Sequence, residues 1–78
     1  MANVGKNIRL IRKQKNMTQD TLAELLYVSR QTVSNYETGR SNPDIDMLVK
    51  IAEVLQTDVN ILIFGFPVPL SRKREYIK

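Results

Sequence analysis

At 78 residues, 9.0 kDa and a net charge of +4, the chain has room for one core and excludes a two-lobed enzyme. It has no Cys and no His, which excludes disulfides, thiolate and imidazole catalysis and the usual zinc ligands. The basic excess favours a polyanionic partner, but it sits at the ends: residues 1–16 carry five basic and no acidic groups and residues 66–78 carry four and one, whereas 17–40 sum to −1 and 41–65 to −3. No run reaches the ~18 apolar residues of a membrane span, and the charged start lacks the apolar stretch of a secretory signal. The expected location is cytoplasmic, with no metal and no cofactor.

Periodicity and capping signals predict five helices and no strand. The first is Val4–Lys15, with Val4, Ile8 and Ile11 at helical spacing, Leu10 flanking, and Lys6, Arg9, Lys13 and Lys15 on wetter positions. Asn16-Met17 breaks that pattern. Thr18 is the cap of a second helix that stops near Tyr27; Asp20 suits its dipole and Leu22, Ala23, Leu25 and Leu26 form its apolar side. Ser29 caps a third, Arg30–Thr38, and Gly39 fits its left-handed end. After the loop Arg40-Ser41-Asn42-Pro43, Asp44 caps Ile45–Leu55, whose apolar set is Ile45, Leu48, Val49, Ile51, Ala52 and Leu55. Asp58 opens a last short helix, Val59–Phe64, closed by Gly65. Phe66-Pro67-Val68-Pro69 cannot continue it, because Pro lacks the N–H donor and restricts its predecessor. The domain is therefore expected over 1–65, followed by a basic tail over 66–78.

The informative constellation surrounds Tyr27-Val28-Ser29. Two short helices joined by about three residues, with small Ala23 where the second must approach the first, match a helix-turn-helix. Leu22, Leu26, Val28, Val33 and Tyr36 would pack inside it. At 100° per residue, Val33, Tyr36 and Glu37 of the third helix and its cap Ser29 share the inner direction. Gln31, Ser34, Asn35 and Thr38 share the opposite side, with Arg30 at its edge. From the residues alone, that face is either a solvated surface or one that reads base edges.

Several segments together bear on that choice: Met17-Thr18-Gln19, Leu22-Ala23, Val28-Ser29-Arg30-Gln31-Thr32-Val33-Ser34, Glu37-Thr38-Gly39-Arg40, Pro43, and Ile51-Ala52-Glu53-Val54-Leu55. From about Ile8 to Gly65 the chain resembles the lambda-repressor-like, Xre-type family of helix-turn-helix DNA-binding proteins. The resemblance implies an all-α, compact five-helix bundle whose third helix enters the major groove of a double-stranded DNA operator. Arg30, Gln31, Ser34 and Asn35 are then the base readers: Arg suits the two acceptors of guanine, and Gln and Asn pair bidentately with adenine. Thr18, Gln19, Thr38, Arg40, Ser41 and Asn42 would contact phosphates, with Gln19 as a clamp at the start of the second helix. Similar proteins pair an arginine of the first helix with the glutamate after the recognition helix, which makes Arg12 and Glu37 a structural ion pair. The turn departs from the family where Tyr27 stands in place of a frequent Gly.

Ile61, Ile63, Phe64 and Phe66 are more apolar surface than so short a helix can turn inward. Either the surplus packs under the tail, or it forms a two-fold homodimer contact as in similar repressors, with half-sites one DNA turn apart and a pseudo-palindromic operator. The basic groups at both ends, Lys6, Arg9 and Lys13 with Arg72, Lys73 and Arg74, either add phosphate contacts or are solvated. The expected function is a sequence-specific transcriptional regulator, most simply a repressor, with no small-molecule substrate. An antitoxin, a restriction-modification controller and a protein-binding adaptor on the same fold are the alternatives. An enzyme fits worst, since Asp20, Glu24, Asp44 and Asp46 are explained as caps and first-turn charges.

Overall fold

Each helix needs a partner for its first free N–H groups, and in every case one polar side chain supplies it. Asn3 accepts from Lys6 N at 3.0 Å, Thr18 from Thr21 N at 3.1 Å and Ser29 from Thr32 N at 3.1 Å. Asp44 accepts from Met47 N at 2.9 Å and Asp58 from Asn60 N at 2.8 Å. The computed structural model describes residues 3–65. The helices so started are α1 (Val4–Gln14), α2 (Gln19–Leu26), α3 (Arg30–Thr38), α4 (Ile45–Leu55) and α5 (Val59–Phe64), with no strand among the described residues. The basic tail expected over 66–78 lies outside them.

The ends follow the same local logic. Gly39 and Gly65, both at φ 83°, close α3 and α5. Helix α1 ends one residue before the expected Lys15, which instead caps it, and Asn16 at φ 56° turns the chain toward α2. Tyr27 and Gln56 end α2 and α4 at φ 60° and φ 54°. A left-handed non-glycine residue costs about 1–2 kcal/mol, so both turns are held against a local preference by the packing on either side.

Ile8, Leu22, Leu26, Val33, Ile51, Leu55 and Leu62 are fully buried and form the centre of the core, with Ile11, Ala23 and Ala52 around them. Helix α1 packs on α3, α4 and α5, α2 on α3 and α4, and α4 on α5. Three residues expected on apolar faces are in fact exposed: Leu25 at 49%, Ile45 at 71% and Val49 at 45%. The reason is width. The apolar residues of α4 span more of its circumference than its neighbours cover, and Leu48, Ile51, Ala52 and Leu55 take the buried strip.

Two residues of α1 set how the bundle closes. A Cβ on Gly5 would fall against Tyr36 O and within 2.9 Å of Glu37 O, so α1 reaches the end of α3 backbone to backbone. Two residues on, Asn7 Nδ2 donates to Leu62 O at 2.9 Å and ties α1 to α5. Helix α1 thereby references both α3 and α5.

Candidate nucleic-acid interface

The α2–turn–α3 unit is built from the inside out. Val28 N donates to Ala23 O at 3.0 Å across the turn. Leu22, Ala23, Leu26 and Val33 are buried between the helices, while Val28 and Tyr36 are half-buried. The Tyr27 ring itself is 89% exposed, so nothing in the packing requires it. With its inner face committed, α3 can present only its other side.

That outer side carries Arg30, Gln31 and Thr38, all exposed, with Ser34 and Asn35 half-buried between them. Gln31 Nε2 donates to Asn35 Oδ1 at 3.0 Å, an i,i+4 pair that aligns two amides along the face. Each amide keeps further donor and acceptor capacity, because a primary amide has two N–H groups and two carbonyl lone pairs. Thr38 Oγ1 donates to Ser34 O at 3.0 Å, so its one O–H is engaged within α3 and its two lone pairs are left to accept. Arg30 Nε lies 3.9 Å from Asp20 Oδ1, an exposed contact that adds little to stability but brings the starts of α2 and α3 together. Arg40, Ser41 and Asn42 are exposed in the following loop, anchored by buried Pro43.

Beneath this face lies a buried ion pair. Arg12 Nε donates to Glu37 Oε2 at 2.6 Å and Nη2 to Oε1 at 3.0 Å, with the two side chains 9% and 2% exposed. Arg12 Nη1 donates to Met17 O at 2.7 Å, and Gln19 Nε2 to Glu37 Oε1 at 3.0 Å. Among the described residues no buried side-chain polar atom is left without a partner, as a buried charge pair requires. Gln19, at the start of α2, is half-buried and tied to the acid.

Two open concavities flank Gln19. One, of about 530 Å³, runs from Lys13 and Asn16 past Thr18 and Gln19 to Arg30. The other, of about 410 Å³, is lined by Arg9, Arg12, Lys13, Gln19, Glu37 and Thr38. Thr18, Gln19, Thr38 and Arg30 thus gather beside Arg9 and Lys13, where the first turn of α2 supplies positive dipole charge. Arg9 and Lys13, whose spacing on α1 left their role open, are placed beside the same surface.

At the far side, Leu62 is buried, Ile61 and Ile63 are half-buried and Phe64 is 50% exposed. Phe66 lies outside the described residues. Sequence reading missed Asn3, Gly5 and Asn7. Gly5 left one usable signal, a glycine inside a helix at about 1 kcal/mol; Asn7 left none. Among the described residues no acidic cluster suited to a metal ion occurs, and no helix is long and apolar enough to cross a membrane.

A family model described as helix-turn-helix matches residues 8–62. The immunity repressor protein of Bacillus phage phi105 is 35% identical over 73 residues, covering 94% of this chain and 51% of that protein. The structure of the restriction-modification controller protein C.AhdI from Aeromonas hydrophila superposes with a TM-score of 0.74 at 29% identity, covering 80% of this chain and 94% of that one. The P22 c2 repressor bound to a synthetic operator superposes at 0.74 and 27% identity, covering 81% and 96%. The chain spans between 21% and 56% of the length of the curated relatives it matches.

Proposed function

The chain belongs to the helix-turn-helix family, and on that premise we propose that it is a sequence-specific DNA-binding regulator of transcription that represses by occupying an operator. The observation that carries this reading is α3 itself. Its inner face is locked by Val33 and the Arg12–Glu37 pair, while its outer face presents Arg30, Gln31, Ser34 and Asn35, the side-chain types that read guanine and adenine edges in the major groove. Thr18, Gln19 and Thr38 take backbone phosphates beside it, with Arg9 and Lys13 adding charge, and Arg40, Ser41 and Asn42 take those on the opposite flank.

Two copies paired through Ile61, Ile63 and Phe64 would set two such helices on half-sites about 10–10.5 bp apart. The working site is then cytoplasmic, with duplex DNA as the partner and binding rather than catalysis as the activity. Selection of bound duplexes from a random pool, followed by footprinting, tests this directly. A selected pseudo-palindrome protected over two half-sites is the expected result, and failure to enrich any sequence would refute it. If the dimer contacts eight phosphates, log K falls with log salt at a slope near −7; a flat response would favour the protein-binding adaptor. A restriction-modification controller is the second reading, favoured by the likeness to C.AhdI over 94% of that chain.

A further inference from the structure

Gln19 has two candidate partners, one inside the protein and one outside it, and the structure orders them. Its Nε2 donates to Glu37 Oε1 at 3.0 Å, and that carboxylate is fixed from the other side by the two-pronged contact with Arg12. Reversing the carboxamide would set its oxygen against the carboxylate, so the amide has one favourable orientation. An NH₂ group has two N–H donors, and one is spent on Glu37. The second is left for the concavity bounded by Arg9, Lys13, Gln19 and Thr38.

We infer that Glu37 is a positioning residue for DNA binding: through Gln19 it aims one N–H at a single backbone phosphate, in addition to neutralising Arg12. This rests on the DNA-binding reading and adds to it a division of labour. Arg12 holds the acid, the acid holds the amide, and the amide meets the phosphate without having to give up rotational freedom on binding. It also explains why an acidic side chain, 2% exposed, is tolerated directly beneath a surface meant for a polyanion. Its charge is compensated within the protein, and its effect outside is exerted by a neutral amide.

The two duties of Glu37 separate when one phosphate is altered instead of the whole duplex. Neutral methylphosphonate linkages are scanned one at a time through the selected operator, and affinity is measured for the full chain below its melting transition. With the native protein, one linkage per half-site near the start of α2 is expected to cost about tenfold, the scale of one hydrogen bond to a charged acceptor. In Gln19→Ala and in Glu37→Gln that penalty should shrink to about twofold at the same linkage, with penalties elsewhere unchanged. Should Glu37→Gln fail to fold, the paired replacement Arg12→Met with Glu37→Met removes both charges together, a change that buried pairs tolerate, and it should lose the same penalty. If Gln19→Ala abolishes the penalty while the Glu37 variants keep it whole, Glu37 is only a stabiliser and the inference is overturned. If Gln19→Ala itself keeps the penalty, the phosphate role of Gln19 is wrong and the inference falls with it, though sequence-specific binding still stands.

Discussion

Replacing Glu37 by Ala removes the carboxylate paired with Arg12, whose side chain is only 9% exposed. Arg12 would keep its hydrogen bond to Met17 O but lose two charge-assisted contacts, at 2.6 and 3.0 Å. Breaking one side of a buried pair costs about 3–5 kcal/mol, because the remaining charge is uncompensated in a poorly solvated place. A domain of this size holds roughly 3–10 kcal/mol in total, at about 0.05–0.15 kcal/mol per residue. The loss is therefore a large share of the whole. At about 4–8 °C per kcal/mol, the melting temperature should fall by at least about 12 °C, read by far-ultraviolet circular dichroism during heating. Adding Arg12→Met to the same chain should recover most of that fall, since the orphan charge is then gone. A melting temperature within about 3 °C of the native protein for Glu37→Ala alone would show that water reaches Arg12, and would refute the burial argument.

Tyr27→Gly relieves about 1–2 kcal/mol of left-handed strain against roughly 0.5–1 kcal/mol of added unfolded-state entropy, and the 89% exposed ring gives up little contact; melting should be unchanged or higher, and a drop beyond about 5 °C would show that the ring packs. Gly5→Ala should cost about 1–3 kcal/mol by overpacking, despite the better helix propensity, because its Cβ meets the carbonyls of Tyr36 and Glu37; an unchanged urea midpoint would mean that α1 and α3 separate easily. Gln31→Ala and Asn35→Ala should leave melting intact yet each cost about 1–3 kcal/mol of operator affinity, with discrimination relaxed at one base pair. Measured on singly substituted operators, a uniform loss across all of them would instead mark a phosphate contact.

The helices were legible because their signals are local. Thr18, Ser29, Asp44 and Asp58 each act on an N–H two or three residues ahead, so the starts of α2 to α5 can be read without a fold. The outer face of α3 was equally legible, since helical geometry alone sets Gln31 and Asn35 opposite Val33. What failed to show depends on partners far along the chain. The need for Gly5 is visible only once Tyr36 and Glu37 arrive beside it, and Asn7 acquires meaning from Leu62. Ile45 and Val49 look as apolar as Leu48, and only the extent of neighbouring helices decides which is covered. The tie between Gln19 and Glu37 was hidden for the same reason, although both residues had been singled out separately.

The bond from Asn7 to Leu62 spans a separation of 55 residues, and this orders events in time. At about 5–20 residues per second, a ribosome needs roughly 3–11 s to synthesise that interval. During it Ile8 and Ile11 lack the part of their final cover that α5 supplies. Helices α2 and α3, three residues apart, pay far less to meet. The helix-turn-helix pair is thus expected to take shape first as a loose hairpin of helices. Helix α1, the earliest of these five in the chain, would be among the last to settle, fastening α3 and α5 in one step once α5 is free.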